Sequence, residues 1–259
     1  MDRHDLYELC VQSPEDLVPF LRAIHGGQGE RAPRTLCEDF CGTAALSRAW
    51  CRMVEGGSAI ATDLAEEVIE RARRDAPDGL DLRRDDATRI DARGDIIFVG
   101  NFSIGEIHAR PALVAYLSRC RERLKPGGVF VCDTYGGESA LREGFVHRPH
   151  PLGDGRIVRY TWEQREVDPL THMVINAMHF RIERAGVIED ELLDAFVYHW
   201  RLWSVPELRD AMREAGFASV EVYEKLPDAV DDEGNAHVLV ATEVEDPEGF
   251  IVCVCGRVP

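Results

Sequence analysis

The apolar positions between residues 14 and 54 change period once, and that change marks the first structural unit. Leu17, Phe20, Leu21 and Ile24 recur at the three-and-four spacing of one helix face. Ser13 precedes them with Pro14, Glu15 and Asp16, which predicts the helix start: a capping hydroxyl, a proline at the first helical position and acids near the positive end of the dipole. Gly26 and Gly27 end it. Residues 35–40 then predict a short strand, Cys41, Gly42 and Thr43 a turn, and residues 44–54 a helix.

The unit repeats along the chain. Residues 58–63 predict a second strand, 65–75 a helix, 80–84 a third strand and 95–101 a strongly apolar fourth. Pro111 opens a helix with Leu113, Leu117, Cys120 and Leu124 on one face, and Pro126, Gly127 and Gly128 turn the chain into a fifth strand at 129–135. Such alternation predicts a parallel sheet covered by helices. After Tyr135 the pattern changes. Residues 136–155 read as loop, whereas 156–165, 172–183 and 195–203 alternate with period two and predict antiparallel strands with two different faces. Ser204 and Glu207 form a capping-box pattern before a helix at 205–215, closed by Gly216. Two final strands, 219–223 and 250–255, are joined by the acidic stretch 228–248, unusually long for a hairpin connection and read as a surface loop, with a flap as the alternative.

The expected fold is therefore α/β: a doubly wound, Rossmann-like sheet of seven strands, the last antiparallel, with an antiparallel β cap inserted after strand five. The expected divisions are an N-terminal helical segment capping the site (1–34), a cofactor-binding core (35–135), the cap or substrate subdomain (136–203), and a C-terminal helix with two strands completing the sheet (204–259).

Composition narrows the partners. Asp and Glu number 47 against 30 Lys and Arg, a formal net charge of -17, which would repel a phosphate backbone and makes nucleic acid a poor partner. Arg71, Arg73, Arg74, Arg83 and Arg84 form a basic cluster, read as solvated surface. The eight cysteines show no paired short spacing of a zinc site, and several sit in apolar stretches as reduced core thiols. His147, His150 and Asp154 lie in a loop without a further ligand, so no metal is expected. Residues 1–9 hold no apolar run, and nowhere do about 18 apolar residues run together, so neither export signal nor membrane span is expected and the cytoplasm is the predicted location.

The chemistry begins at Leu36-Cys37-Glu38-Asp39-Phe40-Cys41-Gly42-Thr43-Ala44, where the first strand meets its helix. A cofactor crossing that turn needs backbone close to it, which Gly42, Thr43 and Ala44 permit. Glu38 or Asp39 suits the ammonium of a cofactor amino acid, whereas phosphate would prefer bare amides. Asp63, followed by Leu64, closes the second strand about 20 residues on, where a carboxylate can accept from both hydroxyls of a ribose. Asp86 and Ala87 follow the third strand, placing an acceptor for an exocyclic adenine amine beside an amide donor for a ring nitrogen. One strand-end acid is commonly a turn former. Three in order carry more weight.

With these residues the chain resembles the class I S-adenosylmethionine-dependent methyltransferases, whose first motif is an acid followed by Cys-Gly-Thr-Gly, and the similarity runs through Asp63, Asp86-Ala87 and Leu124-Lys125-Pro126-Gly127-Gly128. Phe40 and Ala44 stand where the family carries glycine. Asn101-Phe102-Ser103-Ile104-Gly105, the antiparallel strands after strand five, and the stretch from Trp203-Ser204-Val205-Pro206-Glu207-Leu208 to Gly216-Phe217 look like the small-molecule N-methyltransferases of the glycine and amino-sugar type. The resemblance implies S-adenosyl-L-methionine as cofactor, S-adenosyl-L-homocysteine as product, and Tyr7, Asn101, Phe102 and Ser103 near the methyl donor. Base methyltransferases carry two prolines after the polar residue of strand four, and Asn101-Phe102 lacks both.

An amine acceptor must be neutral to attack, so a proton receiver is sought. Glu106, His108 and His199 are the candidates, with Tyr160, Tyr198 and Arg201 on the cap as substrate contacts. Each also has an ordinary structural use, as do Trp162, Trp200 and Trp203 in a sheet core. The reading is a methyltransferase for a small molecule, with acceptor atom and homo-oligomerisation left open. A non-catalytic S-adenosylmethionine-binding protein is the alternative, and a base methyltransferase a more distant one.

Overall fold

The computed structural model describes residues 1–224, 229–230 and 236–259. Its main sheet has seven strands in the order β10-β13-β5-β4-β1-β2-β3. These are β1 (Thr35–Asp39), β2 (Ser58–Asp63), β3 (Leu80–Arg84), β4 (Gly94–Val99) and β5 (Leu124–Gly136), mutually parallel, followed by β10 (Ser219–Glu224) and β13 (Phe250–Arg257). Strand β13 runs antiparallel to both β5 and β10. The seven-stranded sheet with its antiparallel last strand is as expected. A four-stranded antiparallel sheet follows β5: β6 (Gly144–Pro151), β7 (Arg156–Asp168), β8 (Met173–Arg184) and β9 (Val187–Arg201).

Two apolar layers sandwich the main sheet. Against one face pack α5 (Arg110–Arg123) and α6 (Val205–Glu214), through Leu113, Leu117, Leu208 and Met212. Against the other pack α2 (Pro14–His25) and α3 (Ala45–Met53), through Phe20, Leu21, Ile24 and Trp50. Helix α4 (Glu66–Arg73) lies beside β2 with Val68, Ile69 and Ala72 inward. The first helix, α1 (Arg3–Val11), behaves differently. Its Leu6 and Cys10 pack with Val158, Tyr160, Met178 and Phe180 of the cap sheet, so its apolar face belongs to the cap.

Local signals met mixed outcomes. The capping box at Ser204 and Glu207 forms, and Asp2 with Asp5 makes another at α1. Gly26 ends α2 in the left-handed conformation, but the Ser13 side chain makes no capping bond: Pro14 and the acids suffice there. Residues 144–151, expected as loop, are strand β6, because their backbone completes the edge of the cap sheet despite Pro149 and Pro151. The acidic stretch contains a short antiparallel pair, β11 (Ala229–Val230) with β12 (Ala236–His237), while 228 and 231–235 of that stretch lie outside the described residues. Among the described residues no helix is long and apolar enough to cross a membrane.

Candidate active site

The C-terminal ends of β1 to β4, together with α1 and β9, enclose a cavity of about 570 Å3. This is where ligands sit on open α/β sheets, because helix starts and loops converge there. At the tip of β1, Glu38 is buried, and its Oε2 accepts the Ser47 N–H at 2.9 Å and the Ser47 Oγ–H at 2.5 Å. Burial pushes its carboxyl up to about 7, against the pull of Ser47 and Arg48. The loop that follows is bent by three left-handed residues, Phe40 (φ 58°), Gly42 (φ 53°) and Ala44 (φ 56°). Phe40 and Ala44 thus adopt the conformation for which the family uses glycine. Phe40 is held by an edge contact with Tyr116, and Ala44 packs with Ala61, Val68 and Ala72.

Asp63 at the end of β2 fastens that loop: Oδ2 accepts the Gly42 N–H at 2.8 Å and Oδ1 the Ala65 N–H at 2.9 Å. A carboxylate has about four acceptor positions, so two remain for hydroxyls in the cavity. Leu64, 66% exposed, lies at the rim. Asp86 after β3 accepts the Thr88 N–H and Oγ–H on one oxygen, and the Thr88 hydrogen bonds lower its pKa. The cavity is lined as well by Tyr7 from α1, Tyr198 and Phe196 from β9, and Asn101, Ser103 and Glu106 from the turn after β4. Tyr7 and Tyr198 are buried beside each other, and burial raises the pKa of both. Glu106 is oriented by the Trp200 indole, whose Nε1 donates to Oε1 at 2.7 Å. Gly105 permits this contact, since a Cβ there would stand 2.8 Å from that of Trp200.

Glu38, Phe40, Cys41, Gly42, Thr43, Asp63, Leu64, Asp86 and Ala87 all line the cavity, as do Tyr7, Asn101, Ser103, Glu106 and Tyr198. Other expected residues are placed elsewhere. Asp39 points behind β1, where the Arg123 guanidinium grips it at 2.7 and 2.9 Å and Tyr116 donates at 2.7 Å. Strand alternation decides this: Glu38 and Asp39 face opposite sides of the sheet. Ala44 sits beneath the loop, and Phe102 packs away from the cavity among Tyr135, Trp162 and Trp200. Tyr160 stacks on Phe180 between cap and α1.

Of the proton-receiver candidates only Glu106 faces the cavity. His108 Nε2 donates to the His199 carbonyl at 2.8 Å, so that ring joins the post-β4 turn to β9. His199 lies on the opposite face of β9 from Tyr198 and Trp200. Arg201 lies over the Trp203 ring at 4.0 Å and bonds Glu207 at 3.1 Å, which makes it a packing residue.

Three polar lining residues escaped the sequence reading: His4, Gln12 and Thr88. His4 and Gln12 become neighbours of the cofactor loop only when α1 folds back, which no local spacing signals. The group Glu163, His179 and Asp194 clusters outside this cavity. His179 Nδ1 accepts the Asp194 N–H at 3.0 Å, which puts the ring proton on Nε2, donated to Glu163 at 3.0 Å, and Arg165 bonds both carboxylates. With both ring nitrogens so engaged, the trio braces the cap hairpin.

The cavity suits an adenosyl amino acid on two observations besides its acids. Thr43 Oγ1 is buried on its wall without a partner among the described residues, and nothing stands within 4 Å of where a Gly42 Cβ would be.

Residues 39–128 match the family described as "Methyltransferase domain". Over 98 residues the chain is 37% identical to the ubiquinone biosynthesis O-methyltransferase of Cereibacter sphaeroides, a stretch covering 36% of this chain and 38% of that protein. The chain therefore spans well under half the length of that curated relative. Among solved structures it superposes on Streptomyces venezuelae DesVI (TM-score 0.69, 19% identity, 99% of this chain and 96% of that one). It also matches CalS10, an amino pentose methyltransferase from Micromonospora echinaspora (0.67, 17%, 98% and 96%), and the sugar N-methyltransferase KedS8 from a Streptoalloteichus species (0.64, 17%, 99% and 93%). Residues 39–128 thus match a methyltransferase-domain family, and the chain shares its overall fold with these solved methyltransferases.

Proposed function

We propose that this protein transfers a methyl group from S-adenosylmethionine to the nitrogen of a small amine by in-line displacement. The observation that carries the reading is that one cavity gathers carboxylates from the tips of β3, β2 and β1, adjacent in the sheet, with Asn101 and Glu106 from the turn after the neighbouring β4 and with Tyr7 and Tyr198. Glu38 would hold the ammonium of the cofactor's amino acid, Asp63 the ribose hydroxyls and Asp86 with Ala87 the adenine edge. When bound, the cofactor supplies an electrophilic methyl on a cationic sulfur. The chain's own part is alignment and exclusion of water, which the folded-back α1 and the aromatic rim of Phe196 and Tyr198 serve.

The charge of the lining favours an amine. No Lys or Arg is among the described lining residues, whereas Glu106 presents a carboxylate fixed by Trp200. That carboxylate attracts an ammonium and receives the proton the nitrogen must lose. In this reading 1–34 is a lid, 35–135 the cofactor body, 136–203 the acceptor cap, and 204–259 completes the sheet. The relatives described as sugar and amino pentose methyltransferases point the same way. Calorimetric titration with S-adenosylhomocysteine, followed by a methyl-transfer screen over small amines, alcohols and thiols, tests it. Binding with turnover of amines is expected. Turnover confined to alcohols or thiols refutes the amine, and binding without turnover across the panel favours a non-catalytic cofactor-binding protein.

A further inference from the structure

The turn after β4 holds two consecutive non-glycine residues in the left-handed region, Asn101 at φ 54° and Phe102 at φ 64°. An L residue meets a steric penalty between its Cβ and the following carbonyl in that conformation, and a bulky one such as Phe rarely adopts it. Two in succession require a holder. Asp133 on β5 is that holder: it is completely buried, its Oδ2 accepts the Asn101 N–H at 3.0 Å, and its Oδ1 accepts the Phe102 N–H at 2.7 Å. One carboxylate thereby takes both successive amides, an arrangement open to a group with two acceptor oxygens and closed to a carboxamide, whose nitrogen is a donor.

The consequence reaches the cavity through the chain that leaves the turn. Asn101, Ser103 and Glu106 line the cavity. Phe102 anchors the same segment among Tyr135, Trp162 and Trp200, and Gly105 fixes its far end against Trp200. Between those anchors the direction of Asn101 and Ser103 depends on the two left-handed residues. Asp133 is absent from the cavity wall, so it acts through them.

We propose that Asp133 is a positioning residue for methyl transfer, holding the Asn101–Phe102 turn so that Asn101, Ser103 and Glu106 face the acceptor. The proposal rests on the functional reading above. Asp133→Asn keeps the shape and removes one acceptor. The Asn101 and Phe102 amide protons should then exchange with solvent at least about tenfold faster than in the wild type. The rate constant kcat should fall at least about tenfold, since a displacement of about 1 Å at the reacting atoms already carries such a loss. Affinity for S-adenosylhomocysteine should stay within about threefold, because Glu38, Asp63 and Asp86 are untouched.

A kcat retained within about twofold while the amides are released overturns the proposal. So does a parallel loss of kcat, cofactor affinity and melting temperature, the signature of general destabilisation. Exchange in the wild type itself adds a measurement independent of the variant's folding: Asn101 and Phe102 amides exchanging as fast as an exposed loop overturn the proposal outright. A wild-type chain that binds no S-adenosylhomocysteine overturns the functional reading, and the proposal with it, and is distinguished from the other outcomes by the titration alone.

Discussion

Glu38 is expected to make cofactor binding release a proton near neutrality. Its carboxyl is buried at the tip of β1, with Ser47 donating twice to one oxygen, and burial still lifts its pKa from 4.5 to about 7. That displacement corresponds to about 3 kcal/mol favouring the neutral form. A bound ammonium reverses the preference, because an opposite charge at contact distance stabilises the carboxylate. The free protein therefore holds the proton below about pH 7 and the complex does not, so affinity for S-adenosylhomocysteine should weaken about tenfold per unit as pH falls below 7. In the ligand-free protein the sign is opposite. The folded pKa exceeds the unfolded one, so Glu38's contribution to stability is complete below about pH 4.5 and is lost as pH rises through about 7. Titration calorimetry in two buffers of different ionisation enthalpy, between about pH 6 and pH 8, counts the proton directly. Glu38→Gln should abolish both the proton release and the pH dependence. An affinity independent of pH over that range, with no proton released by the wild type, would refute the placement of the ammonium at Glu38.

Three further outcomes follow from the geometry. Asp63→Ala should weaken S-adenosylhomocysteine binding at least about tenfold, since charged hydrogen bonds to the ribose are worth about 1.5 to 3 kcal/mol and the Gly42 loop is freed as well; unchanged affinity would show the ribose lies elsewhere. Arg71 of α4 pairs with Asp2 and Asp5 of α1, while the apolar side of α1 packs on the cap, so α1 is fastened to the body there by exposed charge. Arg71→Gln and added salt should each speed cofactor release several-fold, because such pairs are screened, and release insensitive to both in stopped-flow measurements would contradict that fastening. Arg123→Met leaves Asp39 buried without its cation and should cost about 3 to 5 kcal/mol in urea denaturation; a loss below about 1 kcal/mol would mean water reaches the carboxylate.

The strand-tip acids were legible because they are local: Glu38 with Asp39, Asp63, and Asp86 each end or follow a segment whose apolar run announces the strand. The lining contributed by the post-β4 turn and β9 was less legible. Glu106, His108 and His199 were equal candidates in sequence, and only the pairing of the post-β4 turn with β9 gave the Glu106 carboxylate to the cavity and the His108 ring to a backbone carbonyl. Asp133 drew no attention, since a buried acid in an apolar strand has no local mark distinguishing an amide holder from a misplaced charge.

The sequence alone determined the alternation of strands and helices in the parallel body, three of the four antiparallel cap strands and the acids at the strand tips, because periodicity, caps and turn residues act over a few neighbours. Tertiary structure decided which face of β1 each of Glu38 and Asp39 serves, that α1 brings His4 and Tyr7 to the cavity wall, and that Phe40 and Ala44 are held left-handed in the loop. These depend on contacts between residues far apart in the chain, and such contacts exist only once the sheet has assembled and the cap has folded onto it.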